Sequence, residues 1–249
     1  MNYMFLMYGN EASWNETERK ECMVECLAVC DELKTQGKFV ATSPLQSVST
    51  AATVRVRDGK TLITDGPFAE TTEQLGGFFI LDLANLDEAI AVAERLPPVR
   101  KGTAEIRPLL ALEGMPPSRS IPVGFTDTAL TPFMFLVYGC CDDGRGQANP
   151  DVAQKVAEAV KLCHELNDAG KFIGCSPLYP PATATCVRVR NGKREITDGP
   201  FTETNEVLGG YYIVLAESRD AAMPAAARHA AASGGPVEVR PLYDLVGLR

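Results

Sequence analysis

The sequence predicts an α+β protein built from two ferredoxin-like repeats, and three observations support this fold class. At an offset of 133 residues, eighteen of the 27 positions in residues 55–81 are identical to their counterparts. Each repeat also shows the element order β-α-β, hairpin, β-α-β, which is the ferredoxin-like plan with an inserted hairpin. The central strands, finally, are apolar at every position rather than at alternate positions.

The first half of each repeat is predicted to form a strand, a helix and a second strand. Asn149-Pro150 is typical of a helix start, because Asn caps free N–H groups and Pro fits the first turn. Gly37 and Gly170 stand where the glycine that ends a helix belongs. The predicted bounds are about 2–8, 16–36 and 38–41 in the first repeat, and about 132–138, 150–169 and 171–174 in the second.

The second half of each repeat is predicted to begin with a β-hairpin. Asp58-Gly59 and Asn191-Gly192 lie between β-rich runs, and this dipeptide pattern favours a tight two-residue turn. A strand, a helix and a last strand then close the repeat. Their predicted bounds are about 77–83, 86–95 and 103–109, and about 210–215, 219–232 and 236–242.

The apolar central strands also predict how the two repeats pack. A sheet with helices on one face and water on the other would alternate apolar and polar residues, whereas residues 4–7 and 133–137 are apolar throughout. Two helices cover one face of a sheet. We therefore expect the other face of each four-stranded sheet to be covered by the sister sheet, which gives a sheet-to-sheet pseudo-dimer within one chain.

The predicted domains are residues 1–112 and 132–249, joined by a linker at 113–131. The linker is rich in Pro, Gly and Ser, which indicates an extended and semi-rigid connection. Its apolar residues Ile121, Val123 and Phe125 suggest that part of it lies along a surface.

Composition and charge exclude several classes of partner. The net charge is −8, which disfavours nucleic acid and anionic membranes. No apolar run reaches the roughly 18 residues that a membrane span needs. The apolar start of the chain lacks a basic flank and is too short for a signal peptide, so we expect a cytoplasmic protein.

The cysteines predict a core stripe rather than disulfides, and no cofactor is expected. Cys22, Cys26 and Cys30 recur at every fourth position, which places them on one side of a helix. No histidine or Cys-x-x-Cys pair accompanies them, so a metal site is disfavoured. Leu-Gly-Gly precedes a strand rather than opening a helix, which argues against a phosphate-binding loop.

The repeated motifs resemble the YCII-related family, in its DGPF-domain branch. They begin with Tyr-x-x-x-x-Tyr-Gly near the start of the chain. Val-Arg-x-Arg-x-Gly-Lys, Thr-Asp-Gly-Pro-Phe-x-Glu-Thr and Leu-Gly-Gly followed by two aromatic residues then occur once per repeat. The resemblance covers nearly the whole chain. It implies a dimeric α+β barrel that usually forms from two chains and that would form here within one chain.

The resemblance implies two kinds of function. Some relatives carry out small-molecule chemistry, such as dehydrochlorination of an aromatic ring, through a His–Asp pair; many DGPF members lie genetically beside alternative sigma factors. The family's histidine has no counterpart in residues 16–25 or 150–160, and His164 and His229 are interpreted as ordinary helix-face residues. The family's aspartate corresponds to Asp65 and Asp198.

The repeated Asp-Gly-Pro-Phe segment is open to a structural and a functional interpretation. Asp65 and Asp198 can each bond the backbone two residues on, so that the motif only shapes a turn. Alternatively, the two aspartates act as general bases at a cavity between the sheets. The candidate ligand-binding residues around that cavity are Tyr8, Arg57, Glu70, Tyr138, Arg190 and Glu203.

Two functions therefore remain open from the sequence. In the first, the chain binds or transforms a small molecule near the Asp-Gly-Pro-Phe segments. In the second, it is a non-catalytic accessory or regulatory protein whose surface contacts a partner such as a sigma factor. Whether the chain is an enzyme does not follow from the sequence.

Overall fold

The computed structural model describes residues 1–69, 71–140, 150–202 and 206–248, and within them the predicted order of elements is confirmed. The elements of the first repeat are β1 (Asn2–Gly9), α1 (Glu16–Thr35), β2 (Phe39–Pro44), β3 (Ala52–Arg57), β4 (Lys60–Asp65), β5 (Gln74–Asp82), α2 (Leu86–Arg95) and β6 (Thr103–Pro108). Those of the second repeat are β7 (Thr131–Cys140), α3 (Pro150–Asp168), β8 (Phe172–Pro177), β9 (Thr185–Arg190), β10 (Lys193–Asp198), β11 (Glu206–Ala216), α4 (Arg219–Ser233) and β12 (Val237–Pro241).

The start and end signals of the helices are partly visible in the structure. The N-cap predicted at Asn149 lies outside the described residues. Gly37 and Gly170 follow their helices with φ of 70° and 72°, as a helix-ending glycine requires. The start of α1 carries a signal that we did not predict: the Asn15 side chain accepts from the Glu18 N–H, and the Glu18 carboxylate accepts from the Asn15 N–H.

The two repeats exchange their hairpins, which corrects the expectation of four-stranded sheets. Each sheet has six antiparallel strands, in the orders β10-β9-β6-β1-β5-β2 and β4-β3-β12-β7-β11-β8. Ala104 of β6 pairs with Val187 of β9, and Val237 of β12 pairs with Val54 of β3. The physical reason is that the edge strands β6 and β12 need partners for their free N–H and C=O groups, which the sister hairpin supplies.

The hairpin turns themselves are as predicted. Asp58 and Asn191 have φ of 51° and 53°, and the glycines that follow them have φ of 71° and 73°. Two consecutive residues with positive φ define the turn whose twist matches that of paired strands.

The core forms three layers, which confirms that the central strands are buried on both faces. Met4 and Phe78 of the first sheet pack against Met134 and Leu136 of the second in the layer between the sheets. The other face of each sheet packs against its two helices. Because the hairpins are exchanged, Val187 of the second repeat belongs to the helix-side layer of the first.

The linker follows the surface of the second repeat. Pro116 is buried, and Met115 packs against the helix-side core of that repeat. Ile121 and Phe125 pack against the layer between the sheets, whereas Val123 is 66% exposed. Part of the linker therefore lies along the protein surface, and only some of its apolar residues are packed there.

Candidate functional site

The Asp-Gly-Pro-Phe segments are anchored across the two repeats by buried glutamates. The Phe68 N–H donates to Glu238 Oε2 at 2.9 Å, and the Phe201 N–H donates to Glu105 Oε2 at 2.8 Å. Each segment ends the hairpin that pairs with the other repeat, so the hairpin exchange brings it to the other repeat's glutamate.

Each of these glutamates belongs to a buried ion pair. Arg107 Nη1 lies 3.1 Å from Glu105 Oε1, Arg240 Nη1 lies 3.1 Å from Glu238 Oε1, and all four side chains are at most 4% exposed. Arg107 Nη1 also donates to the Leu208 carbonyl. Each carboxylate is held by an arginine of its own repeat and by a backbone N–H of the other repeat. The two Glu–Arg pairs therefore act as a clamp between the repeats.

Two predicted ligand-binding residues, Tyr8 and Tyr138, meet at this clamp. Tyr8 stacks on Phe201 with ring centroids 4.5 Å apart, and Tyr138 stacks on Phe68 at 4.3 Å. Burial is the main cause that raises the pKa of each phenol well above its ordinary value, and the negative charge of the neighbouring glutamate is the second. The space among these groups is a cavity of only about 70 Å³. It has room for a few water-sized groups rather than for a substrate.

The predicted bases, Asp65 and Asp198, lie outside this cavity. Both are exposed at the ends of their edge strands. Asp65 Oδ1 forms an ion pair with Arg219 Nη2 at 2.9 Å, with the Asp65 side chain 82% exposed. The residue equivalent to Arg219 in the first repeat is the uncharged Leu86.

The two arginines among the remaining predicted binding residues, Arg57 and Arg190, do not line the cavity. Arg57 is exposed beside the hairpin turn. Arg190 donates to the carbonyls of Val99 and Gly102 at 2.8 and 3.1 Å, which fastens the hairpin of the second repeat onto the first. Glu70 and Glu203 lie outside the described residues.

A much larger cleft opens between α1 and the first sheet. Its volume is about 870 Å³, within the range of small-molecule sites. Cys22 and Cys26 of α1 form one wall, and Met7 and Phe79 of the sheet form another. Residues 243–246 of the second repeat close one side, so both repeats contribute to the cleft.

Charged and polar groups lie in the wall of this cleft. The carboxylate of Glu11 is engaged internally, since Oε2 accepts from Ser47 Oγ at 2.8 Å and Oε1 accepts from the Val48 N–H at 2.9 Å. Arg19 is exposed, and its Nη2 donates to the Glu11 carbonyl at 3.2 Å. Arg19 therefore places a positive charge in the lining of the cleft. Trp14 and Tyr8 add aromatic surface.

The matching groove of the second repeat is covered by the linker. The Arg119 N–H donates to the Ile173 carbonyl at 2.8 Å, and Arg119 Nε donates to the Phe172 carbonyl at 2.7 Å. His164 Nε2 lies 2.7 Å from the Gly114 carbonyl oxygen. The linker thus runs along the edge of β8 and beside α3, the counterparts of β2 and α1.

Sequence reasoning missed both the clamp and the cleft. The clamp had a signal, because Glu-x-Arg-Pro-Leu closes both repeats at Glu105 and Glu238. The cleft had only a weak signal: the spacing of Cys22, Cys26 and Cys30 predicts a core stripe, yet Cys22 and Cys26 are half-buried and line the cleft.

The part of the chain that the structure describes has neither a metal-binding cluster nor a helix suited to span a membrane. No group of three or more His, Cys, Asp or Glu side chains there is arranged to hold a metal ion. None of the described helices combines the length and the apolar character that crossing a membrane requires.

Comparison with known proteins identifies the family. The YCII-related domain matches twice, at residues 1–113 and 133–246. Uncharacterized protein R00369 of Rhizobium meliloti (strain 1021) is 39% identical over 114 residues, which cover 44% of this chain and 92% of that protein. Two matches in tandem agree with the internal repeat and with the paired α+β fold. The chain therefore belongs to the YCII-related family and carries two of its domains.

Proposed function

We propose that this protein binds a small, mainly apolar molecule with one anionic group in the cleft between α1 and the first sheet. The cleft volume of about 870 Å³ carries this proposal, because the cavity at the clamp is only about 70 Å³ and is lined by side chains that are already paired. The candidate site is thus the cleft rather than the cavity beside the Asp-Gly-Pro-Phe segments, and Tyr8 lines both spaces.

The lining of the cleft supports this ligand class. Met7, Cys26 and Phe79 offer apolar and polarisable surface. Arg19 supplies a guanidinium group at the opening, where a carboxylate or sulfonate would accept two hydrogen bonds. The carboxylate of Glu11 is engaged by Ser47 and Val48, so it competes little for that arginine.

Trp14 provides a direct test, because it is the only tryptophan of the chain and lies in the cleft wall. Titration with 8-anilinonaphthalene-1-sulfonate, an aromatic sulfonate, should quench Trp14 emission while the emission of the dye rises. Aromatic and medium-chain carboxylates should displace the dye. Saturable dye binding with no change in Trp14 emission would place the ligand elsewhere.

A matched pair of variants controls for nonspecific binding. Cys26→Phe should fill the cleft and abolish the Trp14 response. Ala159→Phe introduces the same side chain at the equivalent position of α3, where the linker covers the groove. It should leave dye binding unchanged. Loss of binding in both variants, or in neither, would contradict the proposed site.

A protein partner is the second proposal, and one surface favours it. Leu62 and Ile63 of β4 are 52% and 53% exposed on the edge strand of the second sheet. An exposed apolar edge strand is a surface to which another protein can add a strand. If the partner is a sigma factor, Leu62→Lys should abolish its binding in a titration with the purified factor, whereas Cys26→Phe should have no effect.

A further inference from the structure

Three thiols of α1 lie in line along the cleft. Cys22, Cys26 and Cys30 are spaced by one helical turn each, and all three line the cavity. Cys22 and Cys26 are half-buried, whereas Cys30 is 1% exposed at the inner end. The thiols of the second repeat that the structure describes lie elsewhere, and two of them, Cys163 and Cys186, are buried.

The surroundings of Cys22 favour its thiolate form. The Cys26 thiol, one turn away, donates to Cys22, and this hydrogen bond is the main cause that lowers the pKa of Cys22. Arg100 and Lys101 act in the same direction, while burial and Glu25 oppose it. The same contact and burial raise the pKa of Cys26 well above its ordinary value. Cys22 is therefore the more acidic thiol of the two.

We propose that Cys22 is a nucleophile that captures α,β-unsaturated carbonyl compounds bound in the cleft. The inference deepens the proposed function and rests on it, because the cleft would hold the electrophile next to the sulfur. The positive charge of Arg19 fits an acidic group on the electrophile, and the apolar wall of the cleft fits its conjugated carbon skeleton.

The reaction balances without an oxidant or a reductant. Cys22 loses its proton to solvent, and its sulfur electron pair forms a bond to the β-carbon of the electrophile. The π electrons of the C=C bond move toward the carbonyl oxygen, and the α-carbon then takes a proton from water. The net change is addition of S–H across the double bond.

The test is alkylation of the full chain by N-ethylmaleimide, an α,β-unsaturated imide, followed by peptide mass mapping over time. Cys22 should react about tenfold faster than Cys26, Cys163 or Cys186, because thiolate character and access control the rate. Equal or slower labelling of Cys22 would overturn the inference.

Two further measurements separate this inference from the proposed function. Cys26→Ala should slow the labelling of Cys22 several-fold, whereas Cys186→Ala should leave it unchanged. Saturating 8-anilinonaphthalene-1-sulfonate should protect Cys22. If the dye binds in the cleft but Cys22 reacts slowly, the thiol inference fails and the binding site stands. If Cys22 reacts quickly and the dye neither binds nor protects it, the proposed site fails and capture in the cleft fails with it.

Discussion

The two repeats share one fold but differ in what lies beside their first helices. In the second repeat, the linker runs along β8 and α3, and the backbone N–H of Arg119 donates a hydrogen bond to the Ile173 carbonyl. In the first repeat, the corresponding surface of β2 and α1 is the wall of a cleft of about 870 Å³. A duplicated domain can thus have one copy of a groove covered by its own chain and the other open to ligand.

A second difference lies in the helix-side cores. The hydroxyl oxygen of Tyr212 in the second repeat lies 2.7 Å from His229 Nδ1. The equivalent residues of the first repeat are the apolar Phe79 and Leu96. Phe79 lines the cleft, so the first repeat has an apolar wall where the second has a polar pair. By contrast, the clamp residues Glu105 and Glu238 are used identically. The shared clamp therefore belongs to the fold, and the differing surfaces are the places to seek function.

The largest effect is expected at the clamp and should be the same in both repeats. Arg107→Ala and Arg240→Ala each leave a buried glutamate without its cation, which should lower the free energy of unfolding by about 3–5 kcal/mol. Urea unfolding at neutral pH measures this. A cost under about 1 kcal/mol in either variant, or a large difference between them, would show that the clamp is not shared.

The polar pair of the second repeat should make stability depend on pH. Burial lowers the pKa of His229 to about 4, below the ordinary value of about 6.5. The unfolded chain therefore binds a proton that the folded chain does not, so stability falls as pH decreases from about 6.5 to 4, by about 2 to 3 kcal/mol.

The double variant Tyr212→Phe/His229→Leu copies the first repeat and serves as the control for this prediction. It removes both polar partners together, so its stability at pH 7 should change little, and its loss of stability toward pH 4 should be smaller than that of the natural chain. Parallel urea titrations across this pH range make the comparison. Identical pH profiles would contradict the assignment to His229.

Filling the two grooves should have different effects on stability. Cys26→Phe places its ring in open space and should cost less than about 1 kcal/mol, whereas Ala159→Phe crowds a packed surface and should cost about 1–3 kcal/mol. Thermal unfolding of the two variants provides the measurement. Equal costs would mean that the two grooves are equally filled.

The smallest effects are expected at the motif aspartates. Asp65→Asn loses an exposed ion pair with Arg219 and should cost about 0.5 kcal/mol. The first repeat has the uncharged Leu86 at the position equivalent to Arg219, so Asp198→Asn should cost less still. Both variants should bind the dye normally in the Trp14 titration. Unchanged stability with abolished binding in either variant would instead support the general-base interpretation.

The fold was largely predictable from the sequence, because its signals are local or repeated. Asp58-Gly59 fixes a turn, and the apolar strands at 4–7 require cover on both faces. The hairpin exchange was not predictable, since β3 can pair equally well with β6 or with β12 on the basis of its own residues. That choice is made by the assembled edges of the sheets.

The candidate site was predictable only in part. Tyr8 was identified and lines both cavities, whereas the cleft depends on where the linker and residues 243–246 run, which no local pattern specifies. The stripe at Cys22 shows the same limit. Periodicity places three thiols on one side of a helix, but only the packed structure shows that this side borders a cleft rather than solid core.

Hydrogen–deuterium exchange with and without 8-anilinonaphthalene-1-sulfonate tests the central claim most directly, because it locates the ligand in the whole chain. Bound dye should slow exchange in α1 and β2 and leave α3 and β8 unchanged. Equal protection of both repeats, or protection confined to the Asp-Gly-Pro-Phe segments, would contradict the claim that the open groove of the first repeat is the binding site.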